Sequence, residues 1–342
     1  MKKERLFYLD FIRAIATILI LMTHFNALYI YSYPDNIDKA ILFCHPFNIY
    51  IGNLGVALFF IISGASLMYV YSEKLEIKDF FKKRFLSLFP LFWFCYVLFF
   101  FWQFYENKGM PAGIPKINML FTIIGFDGYL SGLGVPVTTF YILGEWFLGA
   151  IILLYLVFPL LRVGVKKHPI ITAVIIGMIY FLGTFVYKGS LNQSCIIFNR
   201  IPELAFGMYF VEYWKKIPVI GVLASAAVLA LNTILKPEWN STFQTTYIGI
   251  AAFCVFVFAG QYIKWNWLQK LCKVIGKYSY AVFLVHHVLI YKIVGSFDLG
   301  NICRSNSYLL FALCVIVIFV AAYVVVNLQA RFMNCVRTIF TK

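Results

Sequence analysis

Apolar runs of about 20 residues recur along the whole chain, each long enough for an α-helix to cross a hydrocarbon layer. About ten can be traced, over residues 6–31, 48–71, 85–104, 140–163, 169–187, 199–214, 218–235, 244–263, 278–297 and 307–328. The longest polar connection, Tyr105 to Thr139, holds one apolar piece, Ile117 to Phe126. That piece is too short to cross and is expected at the interface or as a re-entrant segment. The sixth run contains Arg200, Pro202, Glu203 and Gly207, so a broken helix is expected there. The pattern predicts an all-α, polytopic integral membrane protein of about ten transmembrane helices. No loop is long enough for a separate domain and no internal repeat is visible, so residues 1–342 read as one transmembrane domain.

Composition and charge sharpen this picture. With 62% hydrophobic and 13% charged residues, the chain falls outside the balance of soluble domains. The net charge of +15 has no basic domain to carry it, so nucleic acid is not an expected partner. The cations instead sort by side. With the N-terminus in the cytoplasm, the inner side collects Lys2, Lys3, Arg5, the cluster Lys74 to Arg84, Arg162, Lys166 and Lys167. It also takes Arg331, Arg337 and Lys342, whereas outer loops keep few, among them Lys39 and Lys108. The positive-inside rule then puts both termini in the cytoplasm. No small-residue cleavage site follows the first run, which reads as a retained span. Cys44, Cys195 and Cys303 fall in loops placed outside, as free thiols or with one disulfide among them.

Candidate chemistry concentrates in the first run, where Asp10, Arg13 and His24 interrupt an apolar stretch. Arg13 and His24 lie about 16 Å apart along a helix and on one face of it. Asp10, three residues before Arg13, can pair with it. Ionisable groups at such depth are costly, and normally line a cavity or a pathway. The plainer alternative for His24 is a buried helix contact. Lys82, Lys83 and Arg84 open the third run at the depth of Arg13, where they anchor to lipid headgroups or, with Arg13, hold a polyanion such as a nucleotide phosphate. Glu145 and Trp146 begin the fourth run at a depth where His24 can be reached; Glu145 either orients a histidine or complements the helix dipole. Arg200 and Glu203 read as a mutual ion pair, and the small residues Ser63 to Ser66 as a close helix contact. His286 and His287, adjacent on one helix, point to different faces and cannot jointly chelate in the usual way. No C-x-x-C or H-E-x-x-H motif is present, and no metal is expected.

Six stretches in order resemble the membrane acyltransferase type 3 family. They are YLDFIRAIA with Arg13 and His24, FFIISG at 59–64, FFKKRFLSLFPLFW at 80–93, WFLGAIILLYLVFPLL at 146–161, NRIPELAFGMYF at 199–210 and YSYAVFLVHH at 278–287. The resemblance covers nearly the whole chain. It implies a bacterial plasma membrane enzyme moving an acyl group, most often acetyl from cytoplasmic acetyl-CoA, to a sugar hydroxyl of a surface glycan or glycolipid. Carried over, His24 is the catalytic histidine, with Glu145 a candidate beside it. Arg13, Lys82, Lys83 and Arg84 meet the CoA phosphates, and Asp10, Arg200, Glu203 and His286 support the site. The chain departs from the family at Ser87, where many members have Arg, and at Ile151, where many glycan-modifying members have Glu.

Partners expected are therefore acyl-CoA, a glycan or glycolipid acceptor and membrane lipid, with a homo-oligomer left open. His24 acts either as general base or as transient acyl carrier. The rival from another class is a transporter or flippase of a lipid-linked glycan, which also needs a polar path through many spans. A sensory module that has lost catalysis is the third reading.

Overall fold

The computed structural model describes residues 5–340, excluding the side chains at 336, 337, 339 and 340. Lys2, Lys3, Lys342 and the Arg337 side chain, which the charge argument uses, lie outside the described residues. Among those described, all long elements are helices. In order they are α1 (Phe7–Tyr31), α2 (Ile51–Tyr71), α3 (Ile77–Glu106), the short α4 (Met119–Ile123) and α5 (Asp127–Leu133), and α6 (Glu145–Lys167). Then come α7 (Pro169–Phe181), α8 (Ile201–Tyr209), α9 (Val219–Leu235), α10 (Ser241–Tyr262), α11 (Asn266–Val294) and α12 (Arg304–Phe340).

Eight helices among the described residues are long and apolar enough to cross a membrane, α7 with the π turn at Leu182–Val186 included. The sixth and seventh runs form shorter elements, α8 with a π turn at Phe210–Trp214, and α9. The apolar windows of α1 and α2 are 61% and 67% buried, against 17% in α3 and 11% in α7, so α1 and α2 are central and α3 and α7 peripheral. The apolar side chains that α3, α7 and α12 expose suit hydrocarbon rather than water.

Several boundaries differ from expectation for local reasons. Lys78, Lys82, Lys83 and Arg84 belong to α3 itself, which begins at Ile77 rather than Phe85. The ninth run begins at Asn266, so Lys270, Lys273 and Lys277 also sit on helix. The sixth run is not broken in its middle. Pro202 lies in the first turn of α8, where its missing N–H leaves no bond unmade. Gly207 serves close packing. A Cβ built there would lie 1.9 Å from the Ile61 carbonyl oxygen, and one at Gly64 would lie 1.9 Å from that of Leu204. The two glycines let α2 and α8 touch backbone to backbone, the contact expected of the small residues near Ser63.

The long connection carries more order than one short piece. Trp93 donates to the Ile123 carbonyl at 2.8 Å and ties α4 to α3. Asp127 is buried at the start of α5, accepting from Thr122 Oγ1 and the Gly128 N–H, both at 2.8 Å. All eight cysteines are free thiols, and Cys195 is buried.

Candidate active site

One cavity of about 550 Å³ opens between α1, α2, α3, α6 and α11. Besides Thr23, it takes from α1 Arg13, Thr17, Ile20, His24, Ala27 and Tyr31. Those positions advance by four and three residues in turn, the stripe of a single helix face. Eighteen residues at 1.5 Å give the stripe a length of about 27 Å, close to the hydrocarbon thickness. Arg13 and His24 thus face one continuous space, at separate depths.

Near Arg13, the Nη2 atom donates to Ser66 Oγ at 3.3 Å, and Nη1 lies 3.7 Å from Asp10 Oδ1. Asp10 is held more tightly by Arg5, whose Nε and Nη2 donate to its two oxygens at 2.5 and 2.8 Å. The carboxylate is therefore shared, and its shorter bonds leave the Arg13 guanidinium facing the cavity. Arg84 stacks over the ring of Tyr155, 5.6 Å from its centre, and Tyr155 lines the cavity. The buried Arg84 Nε has no hydrogen-bond partner. Lys82 and Lys83 are exposed and outside the cavity lining.

Around His24 three helices converge. Its Nε2 lies 3.5 Å from Glu145 Oε2, and Glu145 Oε1 lies 3.4 Å from His287 Nδ1. The His24 ring is 4.7 Å from that of His286 and 4.9 Å from that of His287, centre to centre. His286 Nδ1 stands 2.8 Å from the Phe283 carbonyl oxygen, which only accepts, so Nδ1 carries the hydrogen and Nε2 holds the lone pair. The Glu145 carboxylate beside His24 Nε2 is an acceptor. This favours hydrogen on His24 Nε2 and leaves Nδ1 as its basic atom. His286 and His287, adjacent on one helix, both line the cavity and flank the His24 ring. His287 was not among the candidates because its partner carboxylate comes from a different helix.

The backbone that presents Glu145 is itself held. Glu145 has φ 45° and Gly144 φ 90°, left-handed values at the very start of α6. For a non-glycine residue that conformation costs about 1–2 kcal/mol. Gly128 of α5 sits against this point, since a Cβ built on it would lie 2.5 Å from the Glu145 carbonyl oxygen. Trp146 is clamped alongside. Gly132 leaves it room on one side, and the Arg200 guanidinium lies 5.8 Å from its ring centre. Arg200 and Glu203 make the expected ion pair at 2.9 Å, with both side chains fully buried. The pair lies outside the cavity lining and reaches the site through Trp146.

The two positions that depart from the resemblance, Ser87 and Ile151, both line the cavity. At the other end the wall is aromatic and polar, with Tyr31, Tyr50, Asn53 and Tyr291. The donor atoms of His24, Glu145 and His286 all lie within 4.8 Å of one another.

A carboxylate and three imidazoles at one depth, with a guanidinium at another depth of the same cavity, suit proton handling beside an anionic ligand. Comparison with curated proteins and with solved structures returns no match. The family model described as an acyltransferase domain, acyltransferase 3, matches residues 6–328. The chain therefore belongs to the acyltransferase 3 family and is a multi-pass membrane acyltransferase.

Proposed function

We propose that the protein takes an acyl group, acetyl before others, from cytoplasmic acyl-CoA and transfers it to a hydroxyl of a surface glycan or glycolipid on the outer side of a bacterial plasma membrane. The observation that carries this reading is the stripe of α1 on which Arg13 and His24 share one cavity. In it residues 1–342 act as one transmembrane domain of about ten spans with both termini inside, the orientation that the cation asymmetry favours.

The CoA phosphates meet Arg13 and the basic start of α3, with Arg84 nearer the cavity than Lys82 and Lys83. The mostly neutral pantetheine arm follows the α1 stripe, which brings the thioester carbon toward His24. An acceptor hydroxyl enters past Tyr31, Tyr50 and Tyr291. Its proton passes to His24 Nδ1, its oxygen attacks the thioester carbon, and the C–S bond breaks. The CoA thiolate then recovers the proton from His24. Glu145 fixes the imidazole through Nε2 and stabilises the imidazolium while it exists. In the covalent variant the His24 Nδ1 lone pair attacks the thioester carbon, and the C–S bond breaks to release CoA thiolate. The hydroxyl oxygen then attacks the acyl carbon, the C–N bond to His24 breaks, and the hydroxyl proton passes to the thiolate.

The reading is tested with purified protein in vesicles given acetyl-CoA labelled in the acetyl group. Label appearing on a glycan acceptor on the outer side supports it. Label found only as free acetate or unreacted acetyl-CoA, across a panel of glycan and glycolipid acceptors, contradicts it. Label that stays on the wild-type protein but not on His24→Ala after rapid denaturation at neutral pH would favour the acyl-histidine route.

A further inference from the structure

The polar atoms around His24 do more than form a carboxylate–imidazole pair. His286 is completely buried, and its Nε2 lone pair has no hydrogen-bond partner. Glu145 Oε1, 3.4 Å from His287 Nδ1, is also buried and makes no hydrogen bond. A lone pair shut off from water and left unmatched costs about 1–3 kcal/mol, so the His286 nitrogen lacks something that a ligand would supply. His286 belongs to a group with His24 and Glu145 in which one ligand atom from each residue lies within 4.8 Å of the others.

We propose that His24, His286 and Glu145 bind a divalent metal ion of the Zn²⁺ class, and that the ion, when bound, switches acyl transfer off. Two imidazole nitrogens and one carboxylate oxygen suit Zn²⁺ or Co²⁺ rather than Mg²⁺ or Ca²⁺, which need six or more oxygens. The 3.5 Å between His24 Nε2 and Glu145 Oε2 equals about one edge of a tetrahedron with ~2.1 Å bonds. The longest separation, 4.8 Å, closes to that edge through side-chain movements of about 1 Å. His286 already has the supporting shell that metal-ligating histidines use, its Nδ1–H donating to the Phe283 carbonyl at 2.8 Å. The cavity leaves room for a water or for His287 as a fourth ligand.

Inhibition follows from the tautomer. A metal on His24 Nε2 moves the hydrogen to Nδ1, and Nδ1 is the atom that must accept the acceptor's proton. Occupancy and catalysis then exclude each other. This half of the proposal rests on the transfer chemistry above; the binding half does not.

The full chain, purified in detergent and stripped with chelator, is titrated with Co²⁺ and followed by its visible absorption. One equivalent is expected to give the intense bands of four-coordinate Co²⁺, which Zn²⁺ then displaces. Glu145→Gln, which keeps the side-chain shape, and His286→Ala should each weaken uptake at least about 100-fold, since losing a ligand costs no less than losing a residue that only supports one. An unchanged apo melting temperature confirms that either variant is folded. No stoichiometric uptake by the wild type, or uptake that survives in both variants, would overturn the site. Where transfer is measurable, Zn²⁺ should abolish it at the occupancy midpoint and chelator should restore it. Full turnover at saturating Zn²⁺ would overturn the switch while leaving the titration result standing.

Discussion

Glu145 stands 3.5 Å from His24, although one begins α6 and the other lies deep in α1. The carboxylate is brought there by a backbone in the left-handed region, braced from behind by Gly128. Strain of this kind persists where surrounding contacts impose it, and it clusters at functional sites.

Removing the charge while keeping the shape tests the pair. Glu145→Gln should lower kcat by about 10²-fold, within the range of a positioned acid or base, and leave the KM for acetyl-CoA within about twofold. Steady-state rates under varied acetyl-CoA check it. A kcat equal to wild type would remove Glu145 from the site.

The brace gives a second, more remote prediction. Gly128→Ala puts a methyl group where only 2.5 Å separates it from the Glu145 carbonyl oxygen. Overpacking costs about 1–3 kcal/mol, and here it pushes Glu145 away from His24. We expect a fall in kcat with acetyl-CoA affinity preserved, measured by turnover beside a binding titration.

Arg13 should act on binding rather than on chemistry. Charge-assisted contacts are worth about 1.5–3 kcal/mol, so Arg13→Ala should weaken acetyl-CoA by about 10- to 100-fold. Arg84→Ala should do so more than Lys83→Ala, because Arg84 lies against the cavity wall and Lys83 is exposed. Equilibrium titration of the three variants ranks them.

For the buried ion pair, Arg200→Met strands the Glu203 carboxylate without a counter-charge and should destabilise the protein by about 3–5 kcal/mol. Adding Glu203→Gln should return much of that loss. Thermal unfolding in detergent reads both, and activity should follow folding, since neither residue lines the cavity.

The face of α1 was legible because ionisable residues at 10, 13 and 24 in an apolar run mark one side of a 3.6-residue period. The Arg200–Glu203 pair was legible for a similar reason, being local at three residues' spacing. Other features depend on helix rotation, which an almost uniformly apolar helix does not reveal. Nothing in the period of α3 says that Arg84 rather than Lys82 turns inward. The meeting of Glu145 with His287 joins helices far apart in the chain. Asp10 does pair with Arg13, at 3.7 Å, but Arg5, just outside the apolar run, takes its shorter bonds. Pro202 and Gly207 looked like breaks because the sequence marks helix starts and close contacts with the same residues.

Single-turnover transfer by His24→Ala, run beside an acetyl-CoA binding titration, tests the central claim most directly. With His24 as the group that takes the proton or the acyl, transfer should fall by at least about 10²-fold while acetyl-CoA binds as to the wild type. Transfer at the wild-type rate by the folded variant would mean that the imidazole on the α1 stripe is not where the chemistry happens.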